Sequence, residues 1–244
     1  MKIKILIIFV FYSFTFFGQN DLCKEKIIDE NPIIEKNEIE KYTKYDFSNL
    51  WTKTENELVY GIIGTEYQRI LINFIFIERS LDGENEYLVY GKSNVKSNIC
   101  DFLGTITIFK IQELNVENFG VDDEFKNSGI KKQGVLTAKY EFFENKEQAH
   151  SGLFQGILQS KWYLDKNDEI IYNDIDSFTD GYFNNAFVGT WKMYNSIIEK
   201  VCNWADYRVP SVNCDFDIGA AELSVSDKYR KNGWWVKPIK DWWK

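Results

Sequence analysis

Hydrophobic and polar residues alternate with a period of two along most of the chain from Leu58 to Cys202. In GVLTAKYEFF (134–143) every second position is apolar, and threonine, lysine and glutamate lie between. This period places the apolar side chains on one face of a β-strand, so it predicts strands with one buried face. The segments that we interpret as strands are 70–80, 86–95, 100–111, 134–143, 151–165, 169–178 and 186–194, with the chain continuing through Ile197 and Val201 to Cys202.

These segments favour a mostly β fold, an antiparallel meander that closes into a barrel of about eight strands. Short polar links such as Lys166–Asp168 have the length of hairpin turns. Closure is favoured because it removes the exposed strand edges that lead to aggregation. A β-sandwich is the alternative. Glycines inside or at the ends of the strands permit bends and tight corners: Gly61, Gly64, Gly104, Gly134, Gly152, Gly156 and Gly189.

The N-terminal residues 1–18 predict a cleavable signal peptide. Lys2 and Lys4 precede an apolar run of 13 residues, and the small residue Gly18 follows it. The run is shorter than the roughly 20 residues that a membrane-spanning helix needs. We therefore expect an exported protein, periplasmic or extracellular, with no membrane span in the mature chain.

Three further segments follow the signal peptide. Residues 19–56 form a polar lead-in that we expect to be loosely attached, with one short helix before Tyr45. Residues 57–204 form the barrel. Residues 205–244 lose the alternation and are expected to pack on the barrel as an irregular extension, with four tryptophans covering one end: Trp234, Trp235, Trp242 and Trp243.

The chain is acidic, which argues against nucleic acid as a partner. It has 29 basic and 37 acidic residues and a formal net charge of -8. Loss of Lys2 and Lys4 with the signal peptide leaves 27 basic residues, so the charge becomes -10. A surface of this sign repels phosphate backbones. The expected partner is a small molecule or a protein.

Four cysteines in an exported chain predict disulfides. We favour Cys202 with Cys214, which closes a short loop, and Cys23 with Cys100, which ties the lead-in to the core. No two cysteines have C-x-x-C spacing, and His150 is the single histidine of the chain. The sequence therefore predicts no metal site and no cofactor.

Three segments resemble an uncharacterised family of secreted proteins from Bacteroidota, over about Tyr60 to Gly233. They are VGTWKMYNS (188–196), CNWADYRVP (202–210) and FDIGAAELS (216–224), and the FFGQN end of the signal peptide fits the same group. Gly189–Trp191 is also similar to the G-x-W motif of calycin-type barrels, although lipocalins carry that motif in their first strand. The resemblance implies an exported barrel, and it transfers no catalytic residue.

The candidate ligand-binding residues are aromatic or basic. Trp162 and Trp191 would line an open barrel, with Tyr194 beside them, because a small barrel is either filled by side chains or holds one small ligand. Arg69 and Arg208 could each bind the acid group of a ligand or form a structural ion pair. The sequence favours a non-enzymatic binding or interaction protein, and a structural or envelope-associated module is an alternative.

A carbohydrate-active hydrolase is the competing hypothesis. Glycoside hydrolysis needs two carboxyl groups about 5 to 10 Å apart. Asp215, Asp217 and Glu222 lie close together in the irregular segment after Trp204. A cleft that exposes two of these carboxylates beside a tryptophan would support the enzyme, whereas their use in hydrogen bonds within the loop would count against it.

Overall fold

The computed structural model describes residues 35–218, 222–235 and 240–244, and most of them form an antiparallel β-barrel. Eight strands close the ring in the order β1-β2-β3-β4-β5-β6-β8-β9, and β9 pairs with β1. The predicted barrel is confirmed. The strands are β1 Val59–Ile63, β2 Gln68–Arg79, β3 Glu86–Val95, β4 Asn98–Glu113, β5 Lys132–Glu144, β6 Gly152–Leu164, β7 Ile170–Tyr172, β8 Asn184–Met193 and β9 Glu199–Asp206.

Strand β7 lies outside the ring, which corrects the expectation of a long strand at 169–178. It pairs only with the C-terminal end of β6, from Trp162 to Leu164. The rest of that edge of β6, from Gly152 to Gln159, pairs with β8. Each residue on this edge of β6 can pair with only one strand. Because β8 occupies most of the edge, only a short segment is left for β7.

The helices of the described chain are short. They are α1 Ile39–Tyr42 and α2 Asp227–Tyr229, with 3₁₀ turns at Ser48–Trp51, Asn56–Leu58 and Val121–Asp123 and a further helical turn at Arg230–Trp234. The helix expected before Tyr45 is α1.

Side chains fill the barrel interior. Phe187 stacks on Trp204 with ring centroids 4.6 Å apart, and Phe102 stacks on Phe142 at 5.1 Å. Tyr140 lies between these pairs and is buried. Rings of this size bury 150 to 250 Å² each, so they supply most of the core. Of the two sequence expectations for the interior, the filled one applies.

Residues 37–58, which we call the plug, close one end of the barrel. Four of its apolar side chains are buried: Tyr42, Phe47, Leu50 and Trp51. The indole of Trp51 donates to Ser160 Oγ at 3.0 Å, and the Phe47 amide donates to the Tyr87 hydroxyl at 3.0 Å. The expected loose attachment of the lead-in is therefore wrong for this part, because scattered apolar residues with no strand or helix period pack into the barrel mouth.

A buried carboxyl, Asp206, joins the plug to the barrel. Its Oδ2 accepts hydrogen bonds from Thr54 of the plug at 2.8 Å, from Tyr172 at 2.9 Å and from Asn185 at 2.7 Å. Asn185 also donates to the Leu50 carbonyl at 2.8 Å. A cavity of about 50 Å³ remains beside this cluster. That volume suits a few ordered waters and is far below the 300 to 1,000 Å³ of typical ligand pockets.

The C-terminal extension packs on the outer wall of the barrel at β1 and β2. A second apolar cluster there contains Ile62 of β1 with Val209, Val212, Phe216 and Tyr229. Trp234 donates from Nε1 to the Tyr67 carbonyl at 2.9 Å. Trp234 of the extension lies against the barrel wall and not at an end.

Candidate functional site

Of the predicted aromatic ligand residues, Trp162 and Trp191 belong to the core and lie at opposite ends of the barrel, and Tyr194 is half-buried beside Trp191. Trp162 is fully buried at the plug end, with its ring 4.8 Å from that of Tyr42. Trp191 and Tyr194 lie at the other end and meet at Glu144. The Trp191 indole donates to the Glu144 carboxylate at 2.8 Å, and the Tyr194 hydroxyl donates to its backbone oxygen at 3.1 Å. These aromatics do not form one ligand pocket.

Glu144 is a buried carboxyl that its neighbours satisfy. Besides Trp191, it accepts hydrogen bonds from Ser93 and from the Gly152 amide. Burial raises the pKa of Glu144. Through these three hydrogen bonds the Glu144 carboxyl group on β5 links β3, β6 and β8 at this end of the barrel.

The two predicted arginines lie outside the barrel interior and apart from Trp162 and Trp191. Arg69 is on the outer face of β2, with its guanidinium 5.0 Å from the Trp234 ring. Arg208 is buried in the C-terminal extension and forms an ion pair with Asp217. Arg69 thus contacts the extension from the barrel wall, and Arg208 forms an ion pair within the extension, which is the structural alternative that the sequence left open.

The three candidate carboxylates do not form a hydrolase cleft. Asp217 is the partner of Arg208 and also accepts a hydrogen bond from the Ser224 amide at 3.0 Å. Asp215 accepts hydrogen bonds from Lys228 and from the Tyr229 hydroxyl, both at 2.8 Å. The oxygens of Asp215 and Asp217 are engaged within the loop, which counts against the enzyme, whereas Glu222 is exposed to solvent.

The predicted disulfide pairings are wrong. Cys100 and Cys202 are free and buried, and burial raises the pKa of Cys100 to about 11 and that of Cys202 well above its usual value. Both are buried, and neither takes part in a disulfide bond. Cys214 is disulfide-bonded, and Cys23 lies outside the described residues.

We expect one disulfide in the mature protein, between Cys214 and Cys23, the cysteine that remains once Cys100 and Cys202 are free. Alkylation of the folded protein followed by peptide mapping without reduction checks this. Cys100 and Cys202 should be labelled only after unfolding, because buried protonated thiols react slowly. A peptide that links Cys202 to Cys214 would contradict the pairing.

The outer wall opposite the C-terminal extension carries three rows of side chains in cross-strand register. In the ring, β5 lies four strands away from β1, so this wall is across the barrel from the extension. The first row, which we call the apolar row, crosses five neighbouring strands. Its members are Phe76, Tyr90, Leu103, Phe143 and Leu153.

The apolar row is partly exposed to solvent. Leu103 is 65% exposed, Phe76 is 49% exposed and Phe143 is 48% exposed. Single exposed apolar residues are normal on protein surfaces, but a contiguous exposed set often marks an interaction site.

The second and third rows line a groove of about 580 Å³, which we call the outer groove. The second row lies two residues along each strand from the apolar row and consists of Thr105, Glu141, Gln155 and Thr190. The third row adds Thr107, Lys139 and Ile157. The second row spans three inter-strand spacings, so the groove is about 14 Å long.

Glycines of the barrel interior form the floor of the outer groove. Gly156 and Gly189 pair with each other on β6 and β8 and line the groove. A Cβ on Gly156 would lie 2.2 Å from the Val188 carbonyl oxygen, and one on Gly189 would lie 2.1 Å from that of Gln155. Because both lack a side chain, the two strands bend and approach closely here, beneath the groove.

Among the described residues, the polar side chains of the outer groove have no protein partner. Within the described residues, none of these side chains makes a hydrogen bond or ion pair: Thr105, Thr107, Lys139, Glu141, Gln155 and Thr190. By contrast, the polar groups around Asp206 and Glu144 are satisfied inside the protein. The groove is therefore one region of the described chain where accessible polar side chains lie together without a protein partner.

The sequence did not predict this surface, although it predicted each of the four strands that carry the groove, β4, β5, β6 and β8. The alternation in 100–111 and 134–143 shows that Thr105 and Glu141 point outward, but cross-strand register is not visible in a single strand. The one local signal was an apolar residue at an outward position, such as Leu103 or Phe143, and singly such residues carry no information.

Among the described residues, no group of three or more histidine, cysteine, aspartate or glutamate side chains could hold a metal ion. No helix in the same residues has the length and apolar character to cross a bilayer. No protein family model, curated protein or solved structure matches the chain. The resemblance to secreted Bacteroidota proteins and to calycin-type barrels therefore stays a prediction.

Proposed function

We propose that this protein is an exported, non-enzymatic binding module that acts through the outer wall of its barrel and not through its interior. The observation that carries the proposal is the outer groove, whose polar side chains make no hydrogen bond or ion pair with any residue that the structure describes and lie beside the partly exposed apolar row.

The closed interior supports the same conclusion. The plug fills one mouth, stacked rings fill the centre, and the cavity beside Asp206 measures only about 50 Å³. A ligand of ordinary size would have to displace the core, at a cost of roughly 3 to 5 kcal/mol for each large ring removed from its contacts. Binding on the rigid outer wall has no such cost.

Lysine labelling in the native setting tests this function without knowledge of the ligand. Lys139 lies exposed in the outer groove, and Lys96 lies exposed in the turn between β3 and β4 as a matched control. We expect Lys139 to react more slowly with an amine-specific reagent in the periplasmic or extracellular fraction of the producing cells than in the purified protein. Lys96 should react equally in both.

Equal reactivity of Lys139 in both samples would contradict the proposal, since an occupied groove shields its lining. The fractionation also tests export. Recovery of the chain from the cytoplasm with residues 1–18 still attached would contradict that part of the proposal.

A further inference from the structure

We propose that the outer groove binds a neutral oligosaccharide, with the sugar hydroxyls on the groove side chains and the apolar faces of the sugar rings on the apolar row. This rests on the proposed function and names its ligand class.

The closed ring of strands argues against a peptide ligand. An extended peptide commonly binds by adding a strand to an exposed sheet edge. Beneath the groove, each of β4, β5, β6 and β8 is paired on both sides. No backbone edge is open there, so a ligand must be recognised by side chains alone.

The charge of the groove argues against a polyanion. Its lining contains one lysine, Lys139, and one glutamate, Glu141, and its other polar side chains are uncharged. Binding of phosphate or sulfate chains depends on several basic groups. The whole chain, with a net charge of -8, adds repulsion.

The uncharged groups match the hydroxyls of a sugar. A threonine hydroxyl donates one hydrogen bond and accepts others, and the glutamine amide does both through two atoms. A neutral saccharide presents the same mixed capacity at every ring. Thr105, Gln155 and Thr190 lie in register on three strands, so they can contact successive parts of one chain laid across the strands.

The apolar row supplies the second element of sugar recognition. Phe143 lies two residues from Glu141 on β5, and Tyr90 and Phe76 continue the apolar row of partly exposed side chains onto β3 and β2. Such rings give large contact areas with little loss of side-chain freedom. A ligand that is polar at its rim and apolar on its ring faces fits a surface with this division.

Isothermal titration of the purified mature chain with defined probes tests the inference. The neutral probes are dextran, laminarin, galactomannan and xyloglucan oligosaccharides, alginate is the polyanion, and an unstructured peptide is the third class. The double variant Thr105→Val/Thr190→Val removes two hydroxyls while it preserves side-chain shape and strand preference. The matched control is Thr65→Val, which removes an exposed hydroxyl in the turn between β1 and β2.

We expect at least one neutral probe to bind, the double variant to weaken that binding about tenfold or more, and Thr65→Val to leave it unchanged. Absence of binding to every neutral probe, or equal binding by the double variant, would overturn the inference. Groove-dependent binding of alginate or the peptide alone would overturn the sugar class and leave the proposed function standing. No groove-dependent binding together with equal Lys139 labelling would overturn both.

Discussion

Replacing Gly104 with alanine should prevent the barrel from folding. The new Cβ would lie 1.9 Å from the Glu141 carbonyl oxygen and 2.7 Å from the Phe142 Cα, both on the neighbouring strand β5. These are backbone atoms of a paired strand, so they can move only if β4 and β5 separate. A native domain has a stability of about 5 to 15 kcal/mol, and we expect Gly104→Ala to remove most of it.

Circular dichroism and urea unfolding of a graded glycine series measure this effect. Gly61→Ala meets side-chain atoms of Ile70 and Trp204 at 2.9 Å, so it should cost about 1 to 3 kcal/mol, as overpacking of a core does. Gly83→Ala meets the flexible Glu86 side chain in a turn and should be nearly neutral. If Gly104→Ala unfolded at the same urea concentration as Gly83→Ala, the close approach of β4 and β5 would be disproved.

The second large effect is a dependence of stability on pH that comes from Asp206. Burial raises the pKa of this carboxyl from 3.8 to about 7, although hydrogen bonds from Thr54, Tyr172 and Asn185 lower it in part. The folded state therefore holds a proton that the unfolded state releases between about pH 4 and pH 7. The stabilisation is complete below pH 4 and is lost as the pH rises through 7.

The variant Asp206→Asn isolates the contribution of Asp206 to the pH dependence of stability. The amide oxygen can accept the same three hydrogen bonds, and the group stays neutral at every pH. The free energy of unfolding of the wild type relative to the variant should fall by about 3 kcal/mol between pH 4.5 and pH 8, since each pKa unit corresponds to about 1.4 kcal/mol. Urea titrations at pH 4.5, 6 and 8 measure it.

Asp82→Asn provides the control, because Asp82 is exposed and its carboxylate makes no hydrogen bond within the described chain. Its unfolding curve should follow that of the wild type at every pH. Parallel pH profiles for the wild type and Asp206→Asn would show that Asp206 is ionised in the folded protein and that the plug junction contains a charge.

Individual strands were predictable because their signal is local. The alternation in 134–143 and 100–111 places Tyr140 and Ile106 inward with no knowledge of the partner strands, and the barrel buries both. The role of the plug was not predictable. Tyr42, Phe47 and Trp51 fit no strand or helix period, because they fill an irregular mouth whose shape the remaining strands create.

The candidate site could largely not be predicted from the sequence either, because it depends on contacts between residues far apart in the chain. The sequence predicts that Trp162 and Trp191 line an open barrel, yet in the structure both complete a filled core. Thr105, Gln155 and Thr190 have no distinctive local pattern. They become one surface only through the register of four strands.

The sequence by itself determined the mostly β class, favoured a barrel over a sandwich and located most of the strands, because strand periodicity depends on neighbours one and two residues away. Tertiary structure alone decided that the interior is filled, that Cys100 and Cys202 stay free, and that Asp206 accepts a hydrogen bond from the plug. It also decided that uncommitted polar groups meet in the outer groove. These features depend on distances between residues far apart in the chain, which strand closure sets and no local pattern records.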